Sequence, residues 1–329
     1  MPDRPIRVDV LTGFLGSGKT TLLRTLVEAG ALTDTALLIN EFADLPLDGM
    51  LLQGAERRIG VFAGSCVCCA VDGALKDALG DLLARRDNGQ LPPFRRILIE
   101  TSGIAEPAPV LATVLNDGFL QARLNPGRII ATLDATSAEQ SLAEYPEALA
   151  QLVAADALVL TKADLTQADP TTLWDRLGWL NPLAARLDGR LDAAVLAGLL
   201  AAIPAGHISV LPATPYAPPD RQTGQRHGVQ ACRLHWPEPV DWPGFSLWLS
   251  ALLHRHGDRV LRVKGLLRLR EAEEDGALLI QAVRHAVHPP EHLPDIPAPS
   301  GADIVVIARD IDPALLQRSF AVFQGLPNA

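Results

Sequence analysis

Residues 6–11 alternate apolar and polar side chains and are rich in branching at Cβ, the pattern of a strand; a glycine-rich turn follows, and from about residue 20 to 28 the apolar positions recur at helical spacing. Apolar runs of the kind that buried strands use return at 36–40, 96–100, 128–134 and 157–161, and stretches between them, such as 73–86, keep helical periodicity. Strands alternating with helices predict an α/β domain built on a mostly parallel sheet with both faces covered. The segment PATPYAPPDRQTGQRHG at 212–228 is rich in Pro, Gly and polar residues, cannot build a core, and predicts a linker. After it come a strand-like GVQACRLHW, an amphipathic helix near 243–256, strands near 260–270, 278–287 and 303–308, and a last helix near 313–323. That order predicts a smaller α+β domain. The expected organisation is a first domain over 1–211, the linker, and a partner-facing second domain over 229–329.

A chain of 329 residues exceeds what one ordinary core holds, and 48% hydrophobic against 20% charged residues gives ample core material and disfavours disorder. The formal net charge of -9 disfavours nucleic-acid and anionic-membrane partners. The N-terminal MPDRPIRVDV carries no apolar stretch behind its basic residues, so neither signal peptide nor anchor is expected, and no run approaches a membrane span. Of four cysteines, Cys66, Cys68 and Cys69 fall within four residues, a spacing wrong for a disulfide framework. A reducing, cytoplasmic location with metal or redox chemistry is the expectation.

The chemistry concentrates in short motifs. Gly13-Phe14-Leu15-Gly16-Ser17-Gly18-Lys19-Thr20 matches GxxxxGK[ST] between a predicted strand and a predicted helix. Its glycines let backbone N–H groups curl around phosphates, Lys19 reaches the β- and γ-phosphates, and the Thr20 hydroxyl ligates Mg²⁺. The nucleotide-binding set is therefore Gly13, Gly16, Ser17, Gly18, Lys19, Thr20 and Thr21. Downstream, the apolar strand at 96–100 ends in Glu100, a candidate for the Mg²⁺ shell, and Gly103 lets a backbone N–H approach the γ-phosphate. Lys19 and Glu100 are the expected catalytic residues; Glu100 or backbone groups would orient the hydrolytic water. At 161–164, Thr161, Lys162 and Asp164 resemble the guanine-reading [NT]KxD element. Asp164 can accept from guanine N1–H and its amine, which adenine does not offer, so GTP is expected over ATP. The Cys66-x-Cys68-Cys69 cluster lies where switch segments belong, and soft thiolates favour Zn²⁺, Co²⁺ or another late transition metal.

Taken in order, GFLGSGKTTLL, INEFAD, CVCC, ILIETSG and TKAD resemble the CobW-like metallochaperone GTPases, relatives of UreG and HypB. RVKG at 262–265 and IVVIARDID near the end resemble that family's C-terminal domain, so the likeness spans most of the chain. It implies a P-loop GTPase domain in which GTP binding organises the Cys66, Cys68 and Cys69 site and hydrolysis releases metal to a client metalloprotein; a homodimer is left open. The family's NEFGE is Asn40-Glu41-Phe42-Ala43-Asp44 here, with Asp44 as an auxiliary metal or Mg²⁺ ligand and Asp48 as a second acid near the nucleotide or a turn former. The family's His-rich segment is reduced to His227, with His285, His288 and His292 expected as surface or packing residues and, as the lesser alternative, metal ligands. Trp236, Trp242 and Trp248 fit core or interdomain packing, Cys232 a small buried thiol, and Asp134 a capping or loop role at a strand end, with a nucleotide role as the alternative. The alternatives are a P-loop NTPase or kinase with structural cysteines, against which the guanine reader argues, and a nucleotide-switched regulatory protein, against which the thiol cluster argues.

Overall fold

The computed structural model describes residues 5–39, 59–63, 73–166, 170–188, 228–271 and 276–325. Asp44, Asp48, Cys66, Cys68 and Cys69 lie outside the described residues, as does the expected linker up to residue 227. The chain divides into two compact units, Met1–Pro170 with Ala184–Ala202, and Thr171–Leu183 with Ile203–Ala329.

The first part runs β1 (Ile6–Gly13), α1 (Lys19–Glu28), β2 (Thr35–Ile39), β3 (Ile59–Ala63), α2 (Gly73–Asp87), β4 (Arg96–Glu100), α3 (Pro107–Asn116), α4 (Gly118–Gln121), β5 (Leu124–Asp134), α5 (Ala138–Glu144), α6 (Pro146–Ala154), β6 (Ala157–Thr161) and β7 (Ala185–Asp188); α7 (Pro170–Leu180), which falls between β6 and β7 in sequence, belongs to the second unit from Thr171 on. Its seven strands form one sheet in the order β3-β2-β4-β1-β5-β6-β7, with parallel pairing throughout. Near-continuous apolar strands are what a sheet covered on both faces requires. Leu22, Leu23 and Leu26 on α1 pack with Leu11, Leu37, Ile39 and Leu98 of the sheet. Because β1 is central, its C-terminal end opens where chain connections leave to opposite sides, the place where open α/β sheets bind ligands. The registers Leu11↔Glu100, Gly13↔Thr132 and Asp134↔Thr161 bring the ends of β4, β1, β5 and β6 to that one edge.

The opposite end of the sheet is fastened by one buried carboxylate. Asp9 is 0% exposed and takes the Arg7 Nε–H at 2.7 Å, the Arg128 backbone N–H at 2.6 Å and the Arg96 guanidinium at 3.3 Å. Gly127 is required beside it, since a Cβ there would run into the Asp9 carboxylate. This contact explains why β5 begins at Leu124, four residues before the apolar run at 128–134. The polar Asn125-Pro126-Gly127 stretch hides a strand whose register shifts beside Asp9, and Pro has no N–H to give a ladder.

The second part comprises β8 (Val229–Trp236), α8 (Trp242–His256), β9 (Val260–Leu267), β10 (Ala277–Val283), β11 (Ala286–Val287), β12 (Glu291–Leu293), β13 (Ala302–Arg309) and α9 (Pro313–Gln324). Its antiparallel sheet has the order β11-β10-β9-β13-β8, with β12 beside β10. Both helices start on a capping aspartate: Asp241 accepts from the Gly244 N–H at 2.8 Å and Asp312 from the Ala314 N–H at 2.9 Å, each followed closely by proline. Trp248, 1% exposed, meets Phe320 edge-on at 4.9 Å, and Trp236 also abuts Phe320, so these tryptophans serve packing. Trp242 stacks on Phe245 at the start of α8 while remaining 38% exposed. The single strand expected over 278–287 is instead a hairpin: Arg284 takes φ 50, which breaks the extended chain, and Val283 pairs with Ala286. His285 and His292 are exposed there, and Cys232 is buried, its thiol pushed up to about 11 by burial and secondarily by Asp312.

Asp9 is the test of the sheet's lower end. Asp9→Ala leaves Arg7 and Arg96 without their shared anion, and breaking a buried ion pair from one side costs about 3 kcal/mol. The expected result is a lower urea midpoint with an unchanged slope; an unchanged midpoint would show that the cluster contributes nothing to the fold.

Candidate nucleotide site

The loop from Gly13 to Gly18 joins the central strand to α1, and three of its glycines occupy conformations that side chains resist: Gly13 has φ 142, Gly16 φ 71 and Gly18 φ 88. At Gly13 a Cβ would strike Thr132 Oγ1 and come within 2.6 Å of Ser17 Oγ. Gly18 is the N-cap of α1 and has no side chain to offer the helix's first N–H groups. Those donors, with the positive end of the helix dipole, are left to serve an anion.

Strand-end hydroxyls hold this loop. Thr161 Oγ1 donates to Ser17 O at 2.7 Å and lies 3.1 Å from Leu133 O; Ser17 Oγ and Thr132 Oγ1 share a hydrogen bond of 2.7 Å; Thr101 Oγ1 donates to Thr12 Oγ1 at 2.9 Å. Lys162 Nζ donates to Gly16 O at 2.8 Å and to Asp134 Oδ2 at 2.6 Å. Lys19 Nζ bends back to Gly13 O at 2.8 Å and Phe14 O at 3.4 Å, which sets its ammonium across the loop. Phe14 stacks on Tyr145 with ring centres 4.5 Å apart.

Glu100 is 6% exposed, so it is not a surface acid closing a strand, and Thr20 Oγ1 lies 3.3 Å from its Oε1. A hydroxyl and a buried carboxylate converging beside a phosphate-binding loop form the hard oxygen donor set that Mg²⁺ takes. Gly103 presses against the loop: a Cβ on it would come within 2.8 Å of Leu15 N and Cα. Thr21 stands exposed on the first turn of α1, and Asp164 is exposed in the turn closed by the Leu165 N–H on Lys162 O. The structure thus brings Gly13, Gly16, Ser17, Gly18, Lys19, Thr20, Glu100, Gly103, Thr161 and Lys162 to one edge. Thr161, where guanine readers usually have Asn, spends its hydroxyl on the loop. Motif matching misses Thr12, Thr132 and Gln151, although a threonine at the C-terminal end of successive apolar strands was a visible signal for the first two.

Asp134 does more than cap. Its Oδ1 accepts from the Thr136 N–H at 2.9 Å and hydroxyl at 2.7 Å while Oδ2 holds Lys162. Burial works to raise its carboxyl, and the hydrogen bonds from Lys162 and Thr136 outweigh it, leaving the group below its ordinary value of 3.8.

A glycine loop between a central parallel strand and an uncapped helix suits phosphates, and a Lys-x-Asp turn beside it suits guanine; the class is a P-loop GTPase. Family models narrow the class. One described as CobW/HypB/UreG, nucleotide-binding domain, matches residues 7–185, and one described as Cobalamin synthesis protein cobW C-terminal domain matches residues 229–324. The chain belongs to the CobW/HypB/UreG family. It is 30% identical over 286 residues to the protein named zinc chaperone YjiA of Escherichia coli (strain K12), covering 85% of this chain and 86% of that one. It is 34% identical over 200 residues to the protein named zinc-regulated GTPase metalloprotein activator 1 of Schizosaccharomyces pombe, over 57% of this chain and 47% of that one. The crystal structure of Zn(II)-bound YjiA GTPase from E. coli superposes with a TM-score of 0.72 at 26% identity, covering 98% of this chain and 99% of that chain. No helix among the described residues is long and apolar enough to cross a membrane.

The Asp134–Lys162 pair carries a pH dependence. A carboxyl held below its ordinary value stabilises the folded state fully above 3.8 and loses that contribution as pH falls through its lower folded value. The stability difference between wild type and Asp134→Asn, measured by denaturation across pH, should be constant in the neutral range and shrink at the acid end; a difference of constant size down to acid unfolding would refute the pairing.

Proposed function

We propose that this GTPase is a metallochaperone: it binds GTP with Mg²⁺, carries a late transition metal, Zn²⁺ or Co²⁺ by thiolate preference, on Cys66, Cys68 and Cys69, and delivers it to a client metalloprotein when GTP is hydrolysed. The observation that carries the nucleotide half is the direct coupling of the phosphate loop to the guanine-reading turn, through Thr161 to Ser17 O and Lys162 to Gly16 O. The metal half rests on the thiol cluster in the sequence and on relatives named zinc chaperones.

Each side chain has a task in this reading. The loop N–H groups and the start of α1 cradle the phosphates, and Lys19, which lies across the loop on Gly13 O and Phe14 O, exchanges those carbonyls for β- and γ-phosphate oxygens. Thr20 and Glu100 would hold Mg²⁺, which neutralises charge on the phosphate oxygens. Water attacks the γ-phosphorus, the bond to the β-γ bridging oxygen breaks, and GDP and phosphate leave; Glu100 or loop backbone groups orient that water. Asp164 accepts from guanine, and Lys162 covers the base. Asp44 is the acid that could complete the thiolate set, and Asp48 a second acid near the nucleotide. The first domain, 1–211, carries this chemistry and the second, 229–329, meets the client in the cytoplasm. Loss of the γ-phosphate relaxes the segment bearing the cysteines, and linkage requires bound metal to alter GTP affinity in return.

The deciding experiment measures Zn²⁺ and Co²⁺ affinity with GTP-Mg²⁺, with GDP-Mg²⁺ and without nucleotide, in wild type and in Cys66→Ser, Cys68→Ser and Cys69→Ser, alongside GTP turnover in Lys19→Ala. Thiolate binding that strengthens with GTP and vanishes in the serine variants is expected, with turnover in Lys19→Ala reduced at least ~100-fold. Metal binding indifferent to nucleotide, or retained without the cysteines, would leave a GTPase whose output is not metal.

A further inference from the structure

Helix α6 buries Leu149, Leu152 and Val153, and among them it buries a primary amide: Gln151 is 1% exposed. A buried amide is expected to have at least one hydrogen-bond partner, and here the amine end has two. Gln151 Nε2 uses both of its hydrogens on one short segment, donating to Gly103 O at 3.0 Å and to Ala105 O at 2.9 Å. The two carbonyls settle which end of the amide faces them, since the reversed amide would set Oε1 against two acceptors. Gln151 Oε1 has no hydrogen-bond partner among the described residues.

The segment so held directly follows Glu100. Its near side is fixed to β1 by the Thr101 N–H on Leu11 O at 2.9 Å, and it turns through the Ala105 N–H on Ser102 O at 3.1 Å. Gly103 then touches the phosphate loop at Leu15 so closely that no Cβ fits. In a planar trans peptide the N–H points opposite to the C=O. Fixing Gly103 O toward α6 therefore turns the Ile104 N–H away from α6, and fixing Ala105 O does the same for the Glu106 N–H. The backbone of 102–106 is clamped between the phosphate loop on one side and a single side chain on the other.

We infer that Gln151 is a positioning residue for GTP hydrolysis, holding the 102–106 turn in the orientation in which its N–H groups meet the γ-phosphate and thereby tying α6 to the nucleotide state. This rests on the reading above in which the Gly103 turn senses the γ-phosphate. Gln151 itself touches no phosphate; it acts through two carbonyls.

Two substitutions separate this role from simple packing. Gln151→Glu keeps the size and replaces two donors with a carboxylate that repels both carbonyls, while Gln151→Met keeps the length and removes all polarity. In both, kcat for GTP should fall ~10-fold or more and the preference for GTPγS over GDP should shrink, while GDP affinity stays near that of wild type. Unchanged kcat and unchanged preference in both variants would overturn the inference, as would an equal loss of GTPγS and GDP affinity accompanied by a lower melting temperature, which marks a structural role only. Hydrogen exchange on the wild-type protein gives an answer even if neither variant folds. Residues 102–106 and 147–154 should become protected together with GTPγS relative to GDP; protection of the turn without α6 would sink the role of Gln151. A turn that shows no GTPγS-dependent protection at all would instead refute the γ-phosphate reading on which it rests.

Discussion

Glycine populates both signs of φ almost equally, so a glycine-rich loop has little shape of its own and must be held from outside. In this chain the decisive hold is the Thr161 hydroxyl on Ser17 O at 2.7 Å, backed by the Ser17–Thr132 hydroxyl pair and by Lys162 on Gly16 O. These contacts join residues more than a hundred positions apart, so the loop acquires its shape only when β1, β5 and β6 are in register. The same register explains the close approach of Gly13 to Thr132, which no larger residue would allow. Loop geometry is thus a property of the assembled sheet, and the Asp9 cluster at the far end serves it indirectly by locking β1, β4 and β5 against sliding.

Much of this was legible along the chain, for reasons that differ from element to element. Strands β4 and β6 are short apolar runs buried on both faces, and both declare themselves without ambiguity. The phosphate loop is legible because its chemistry is local: glycines, a lysine and a threonine within eight positions. Strand β7, by contrast, is four residues, ARLD, of which Arg186 and Asp188 are charged, and its membership of the sheet is decided by pairing with β6. The start of β5 was hidden by Asn125, Pro126 and Gly127, whose place in the sheet depends on a carboxylate more than a hundred residues earlier. The hairpin at Arg284 was hidden for the opposite reason: the strand-like pattern resumes at Ala286 and Val287 after only two polar residues, and the turn is made by a left-handed residue that is not glycine.

The site divides along the same line. Motifs pointed to the groups expected to face a nucleotide, because those chemical types recur at fixed spacing. They did not identify the groups that hold those residues, because a supporting contact can come from anywhere in the fold. Thr132, Asp134 and Gln151 all belong to this second kind, and each reaches a motif residue across the sheet edge: Ser17, Lys162 and Gly103.

Lys162 shows what such support accomplishes. It has φ 54, a left-handed conformation that costs a side-chain-bearing residue roughly 1–2 kcal/mol. Strain of that kind persists where the surroundings over-determine it. Here the ammonium is held at two points, Asp134 Oδ2 and Gly16 O, while the preceding Thr161 is held by its own hydroxyl. Thr161 has a single hydroxyl proton, shared between Ser17 O and Leu133 O, and therefore none left for a base. An asparagine would bring two donors and an acceptor to the same point. With the shorter residue, recognition of guanine in the proposed function falls to Asp164 and to the stem of Lys162. The Asp134 contact then fixes the lysine tip as well as the turn, which binds the base-reading end and the phosphate-binding end of the site into one hydrogen-bonded unit.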